Sequence, residues 1–102
     1  MPLLSVLTAA IGRRAEYTKQ AGESLANQRL PPGWEIEWVV QEDGPDPCLS
    51  EICAGFTFAR HRANNAQFGI PMTRNLALAR ARGILVHALD CDDLMLPSGI
   101  PV

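Results

Sequence analysis

Residues 83–97 read GILVHALDCDDLMLP, an apolar run from Ile84 to Leu89 followed at once by Asp90, Asp92 and Asp93. An apolar segment of this length with no polar alternation predicts a strand buried on both faces. The residues before it, MTRNLALARAR (72–82), are rich in strong helix formers, and Pro71 stands where a first helical turn tolerates it. Met72, Leu76 and Ala79 are expected to line the inner face of that helix, and Gly83 to close it. A helix running straight into a doubly buried strand is half of a crossover unit, so the stretch predicts an α/β chain with a parallel sheet.

Working back from there, the same alternation repeats. LLSVLTAA (3–10) is a second apolar run, ended by Gly12-Arg13-Arg14, and suits another buried strand. From Ala15 to Gln28 the period changes, with Tyr17, Ala21 and Leu25 recurring every four residues along one helical face; Gly22 weakens this helix and LPPG (30–33) ends it. WEIEWVV (34–40) alternates Trp34, Ile36 and Trp38 against Glu35 and Glu37 before breaking at EDGPDP (42–47). A short helix is expected within 47–55, and FTFARHR (56–62) reads as a further strand. The result is a single unit over residues 1–102, a Rossmann-like, mostly parallel sheet of about four strands flanked by helices.

Composition narrows the function classes. The chain is 47% hydrophobic and 20% charged with net charge −2, which is ordinary globular usage and gives no general pull toward nucleic acid or an anionic membrane. Cys48, Cys53 and Cys91 lack paired CxxC spacing, so they are read as reduced thiols of a cytoplasmic protein rather than a disulfide or zinc framework. The opening PLLSVLTAAIG has no preceding Lys or Arg and is too short to span a bilayer.

Open parallel sheets bind ligands at the carboxyl ends of their strands. Both acidic clusters, Glu42-Asp43 and Asp90 to Asp93, fall at strand ends, so two strands would bring carboxylates to one edge. Crowded carboxylates are costly unless a cation offsets them, and a hard ion such as Mg²⁺ or Mn²⁺ takes oxygen ligands and bridges to phosphate oxygens. The triplet alone is equally compatible with aspartates that cap a following turn and stay in water.

Taken together, LSVLTAAIGRR (4–14), ESLANQ (23–28), WVVQEDGPD (38–46), FGIPMTRNLALARARG (68–83) and HALDCDDLMLP (87–97) resemble, in order, the motifs of the N-terminal half of a family-2 glycosyltransferase with the GT-A fold. TAAIG stands where that family has PTYN, and Gln41-Glu42 where it has a hydrophobic residue and Asp. The resemblance implies a nucleoside-diphosphate sugar held with Mg²⁺ or Mn²⁺ for glycosyl transfer to an acceptor hydroxyl. It also implies that Asp92 and Asp93, with Asp90, form the DxD-type site, with Asp92 and Asp93 on the metal. Asp43 matches the aspartate that contacts the base, and Ala9, in the first strand's terminal loop, a position that touches the nucleotide through backbone. Arg74 is expected near the nucleotide or its phosphates, or else as a solvated helix residue.

In that family the general base and acceptor pocket come from a part that continues beyond the DxD motif, so no catalytic base is assigned within these residues. His61 is expected on the surface and His87 inside a strand as a core histidine. The family's strand order leaves the edge formed by the last strand uncovered, which raises the expectation of a homodimer. Further readings remain: a noncatalytic nucleotide-binding module or a truncated fragment lacking the general base, and, behind these, a haloacid-dehalogenase-type phosphatase with Asp90 as nucleophile and Asp92 as acid/base.

Overall fold

The computed structural model describes residues 2–11 and 15–89. Along the chain run β1 (Leu3–Ile11), α1 (Ala15–Ala26), β2 (Glu35–Asp43), α2 (Ser50–Ala54), β3 (Ala59–Ala63), α3 (Ile70–Arg80) and β4 (Leu85–Ala88). All strand pairs are parallel and the order is β3-β2-β1-β4, so the expected α/β class and parallel sheet are found. Register places Ile11 beside Asp43 and Leu7 beside Ala88.

The two faces of the sheet are built from different chemistry. On one, Leu4, Val6, Trp38 and Val40 pack against Ala21 and Leu25 of α1 and against Leu49 and Cys53 around α2. Trp38 is fully buried, and its indole N–H donates to Thr8 Oγ1 at 2.8 Å, whose hydroxyl donates to the Leu89 carbonyl at 2.8 Å. Phe56 meets the Trp38 ring edge-on with centroids 5.7 Å apart, a favoured aromatic arrangement. Gly22, which weakens α1 by propensity, is required here: a Cβ would lie 2.6–2.7 Å from the Phe56 and Trp38 rings. The buried face of α1 is Thr18, Ala21, Gly22 and Leu25, and Tyr17 is exposed, one position away from the face expected.

The other face is largely polar. Its apolar cluster consists of Leu7, Val39 and Ala77, while Glu37, Gln41 and Asp43 of β2 are buried beside them. Helix α3 docks there through hydrogen bonds. Arg80 donates from Nε to Gln41 Oε1 (3.0 Å) and from Nη2 to the Val40 carbonyl (2.8 Å), and burial, with the nearby Arg62 and Arg60 charges, pulls its pKa down to about 10. The inner residues of α3 are therefore Thr73 and Ala77, and Met72 and Ala79 are exposed with Leu76 half-buried. The expectation from apolar periodicity fails because this interface is satisfied by polar partners rather than by apolar area.

Strand β4 also departs from expectation. Ile84, Leu85 and Val86 are exposed and His87 is half-buried, because β4 lies at the sheet edge and α3 packs over β1 and β2 instead. Gly83 does not close α3, which ends at Arg80 with Ala81 extended. A Cβ at Gly83 would lie 2.6 Å from the Leu3 carbonyl oxygen and from Ser5 Oγ, so glycine is required by the close approach to β1. Among the described residues no helix is long and apolar enough to cross a membrane.

Candidate functional site

Because the strands are parallel, their carboxyl ends share one edge, and the loops after β2 and β3 leave from it. Consecutive strand residues point to opposite faces, so the doublet at the end of β2 ties down both loops. Glu42, fully buried, accepts from the Cys48 N–H (2.7 Å) and the Leu49 N–H (3.1 Å) and pairs with His61 Nε2 at 2.8 Å. His61, expected on the surface, is thus largely buried against this carboxylate.

Asp43 does the same on the opposite face. Its Oδ1 accepts from the Phe68 N–H (2.7 Å) and Asn64 Nδ2 (3.0 Å), and its Oδ2 from the Gly69 N–H (3.0 Å). Burial works to raise its pKa, but the bonds from Phe68, Asn64 and Gly69, with the Gly44 N–H, outweigh this and hold it below the usual aspartate value. Asn64 extends the network, accepting from Gln41 Nε2 (2.6 Å) and donating to Thr73 Oγ1 (2.9 Å). The two loops meet where the Gly44 N–H donates to the Ala66 carbonyl at 3.0 Å; Gly44 has φ 114°, a conformation glycine adopts at little cost.

Between the loops lies a cleft of about 610 Å³, lined by Ile11, the Asp43–Asp46 turn, Cys48 and Gln67. That size suits a small-molecule ligand, for which pockets run about 300–1,000 Å³. Cys48 is a free, exposed thiol on this wall. The Cys53 thiol beneath is pushed up to about 11 by burial and the Glu42 charge, which leaves it an inert core group.

Of the residues expected at the site, Asp43 lines the cleft. Ala9 is buried inside β1 with its backbone in the ladder opposite Gln41, not in a terminal loop, because β1 continues to Ile11. Arg74 lies on the exposed side of α3 and is not among the lining residues. Asp90, Asp92 and Asp93 lie outside the described residues; β4, which precedes them, runs parallel toward the edge that carries Asp43. Among the described residues no group of three or more His, Cys, Asp or Glu could hold a metal ion. Asn64, Asp46 and Gln67 carry no functional signal in the sequence, where the NNAQFG and DGPD stretches signal only turns.

No family model matches the chain. An uncharacterized glycosyltransferase of Methanocaldococcus jannaschii is 30% identical over 101 residues, covering 94% of this chain and 34% of that protein. S. aureus TarS residues 1–349 in complex with UDP superposes with a TM-score of 0.79 at 28% identity, over 96% of this chain and 29% of the other. The crystal structure of S. aureus TarS gives 0.78 at 26% identity, over 96% of this chain and 18% of the other. The similarity is thus to glycosyltransferases in sequence and in fold, and the chain spans about a third or less of the length of the proteins it matches.

Proposed function

We propose that this chain is the nucleotide-sugar-binding part of a glycosyltransferase of family 2 with the GT-A fold, in which a nucleoside-diphosphate sugar occupies the cleft at the carboxyl edge of the sheet. The observation that carries this reading is the superposition of 96% of the chain on UDP-bound TarS, with a cleft of ligand size at the strand ends. Glycosyl transfer to an acceptor hydroxyl is the activity of the assembled site. The donor chemistry of Asp90, Asp92 and Asp93, three carboxylates in four residues, suits Mg²⁺ or Mn²⁺, with Asp92 and Asp93 as its ligands. When bound, the cation would offset the charge gathering on the departing diphosphate.

Calorimetric titration with UDP and GDP, each with and without Mn²⁺, tests the reading. Metal-supported binding of at least one nucleotide is the expected result, weakening about tenfold or more, 1.4 kcal/mol, when the metal is withdrawn. Heat from neither nucleotide in the presence of Mn²⁺ would remove it.

The outer edge of β4 has no described strand beside it, and Ile84 and Val86 are exposed there. An edge of this kind supports pairing with a second copy of the chain. A light-scattering mass of one chain at high protein concentration would rule that dimer out.

A further inference from the structure

We infer that Glu42 and His61 act together as positioning residues for nucleotide binding, fixing the wall of the cleft that runs from Pro45 to Cys48. The inference rests on reading the cleft as a nucleotide site, and it leaves the base contact with Asp43.

The sequence of this wall throws its anchoring onto one buried carboxylate. Between Asp43 and α2 the chain reads GPDPCLS (44–50), and Pro45 and Pro47 have no backbone N–H to give. At the near end Gly44 donates its N–H to the Ala66 carbonyl at 3.0 Å. At the far end Cys48 and Leu49 donate theirs to Glu42, at 2.7 Å to Oε2 and 3.1 Å to Oε1. Pro45 and Asp46, which line the cleft with Cys48, are thus suspended between these two anchors. The two prolines hold φ near −65°, so a segment this short has little slack once both ends are tied.

His61 holds the far anchor in place. Glu42 is fully buried, and a buried carboxylate keeps one position only while donors fill its oxygens. The imidazole Nε2 stands 2.8 Å from Oε1, the oxygen that also accepts from Leu49. Register sets His61 beside Val40 and Ala63 beside Glu42, so the ring reaches forward along the sheet to the carboxylate from deeper in the strand pair. Strand β3 therefore grips Glu42, and Glu42 grips the wall. The opposite wall is held separately, by the Phe68 and Gly69 N–H groups on Asp43. A wall fixed before the ligand arrives spares the ordering cost that binding to a loose loop carries.

The test uses the full chain with His61→Ala and His61→Gln, the second restoring a side-chain donor. Amide hydrogen exchange is followed at Cys48 and Leu49, with Phe68 and Gly69 as the internal reference, and affinity is titrated with UDP and GDP in Mn²⁺. His61→Ala should speed exchange at Cys48 and Leu49 while leaving Phe68 and Gly69 as they were, because the opening is local. It should also weaken the nucleotide that binds by about tenfold, the share expected of lost preorganisation. His61→Gln should recover most of both effects. Exchange that rises equally at all four amides would show a general loss of stability and overturn the inference, as would affinity that survives a loosened wall or a glutamine no better than alanine. Should His61→Ala fail to fold, His61→Phe decides, because it keeps a ring, removes the donor and is expected to loosen the same two amides. A wild-type chain that binds neither nucleotide overturns the proposed function and this inference with it, whereas unchanged affinity in His61→Ala overturns the inference alone.

Discussion

Glu37→Gln is expected to destabilise the fold by about 3 kcal/mol, measured by urea denaturation at pH 7. The residue is 3% exposed and accepts four hydrogen bonds, from Ser5 Oγ, Arg60 Nη1, the Arg82 N–H and Arg82 Nε. An amide in its place turns an NH₂ group toward donors and leaves the Arg60 guanidinium, itself shared with the Arg80 carbonyl, without its counter-charge. Arg82 is well exposed and recovers solvation, which keeps the cost near the lower end for a broken buried pair.

The same carboxylate makes a pH prediction with a definite sign. Burial would raise its pKa, but the Ser5 hydroxyl, the Arg82 N–H and the two guanidinium groups lower it from 4.5 to about 2. A group depressed in the folded state stabilises fully above its unfolded value and is lost as pH falls through the folded one. Wild-type stability should therefore decline between pH 4.5 and 2 by an amount on the order of 3 kcal/mol from Glu37, with Asp43 adding to the loss in the same direction. In Glu37→Gln that decline should be visibly shallower, and equal acid sensitivity of the two proteins would dismiss Glu37 as its source.

Glu37 also marks where the sequence stops being readable. Alternation in WEIEWVV places the glutamates opposite Trp34, Ile36 and Trp38, and it is natural to give that side to solvent. Glu37 does lie on that side but is buried, held by Arg60 and by the segment at Arg82, while α3 covers the face through Arg80, Thr73 and Ala77. Apolar periodicity cannot find an interface made of hydrogen bonds, which is why it points to Met72 and Ala79 for the inside of α3 and passes over Thr73. Element order and strand direction were legible because they follow from apolar runs and from Gly and Pro punctuation, signals local to each segment. Asp43 was legible as an acid at a strand end. Its bonds to residues 64, 68 and 69, more than twenty positions away, were not, because a sequence announces no such pairing.

Asp93→Ala is expected to lower nucleotide affinity in Mn²⁺ by about 100-fold, near 2.7 kcal/mol, while leaving the thermal midpoint unchanged. The triplet carries three negative charges in four residues of a chain whose net charge is −2, and a cation with a diphosphate is what such crowding can serve. In the function proposed above, a metal on Asp92 and Asp93 would supply counter-charge to the diphosphate. Removing one ligand therefore removes the metal's share of the affinity and leaves the share contributed by base and ribose. Titrations in EDTA separate the two: wild type and Asp93→Ala should then bind nucleotide equally weakly, and adding Mn²⁺ should strengthen only the wild type. If Mn²⁺ strengthens both alike, Asp93 is not a metal ligand. If it strengthens neither while both bind tightly, the diphosphate is held by protein cations and the acidic triplet is a solvated turn.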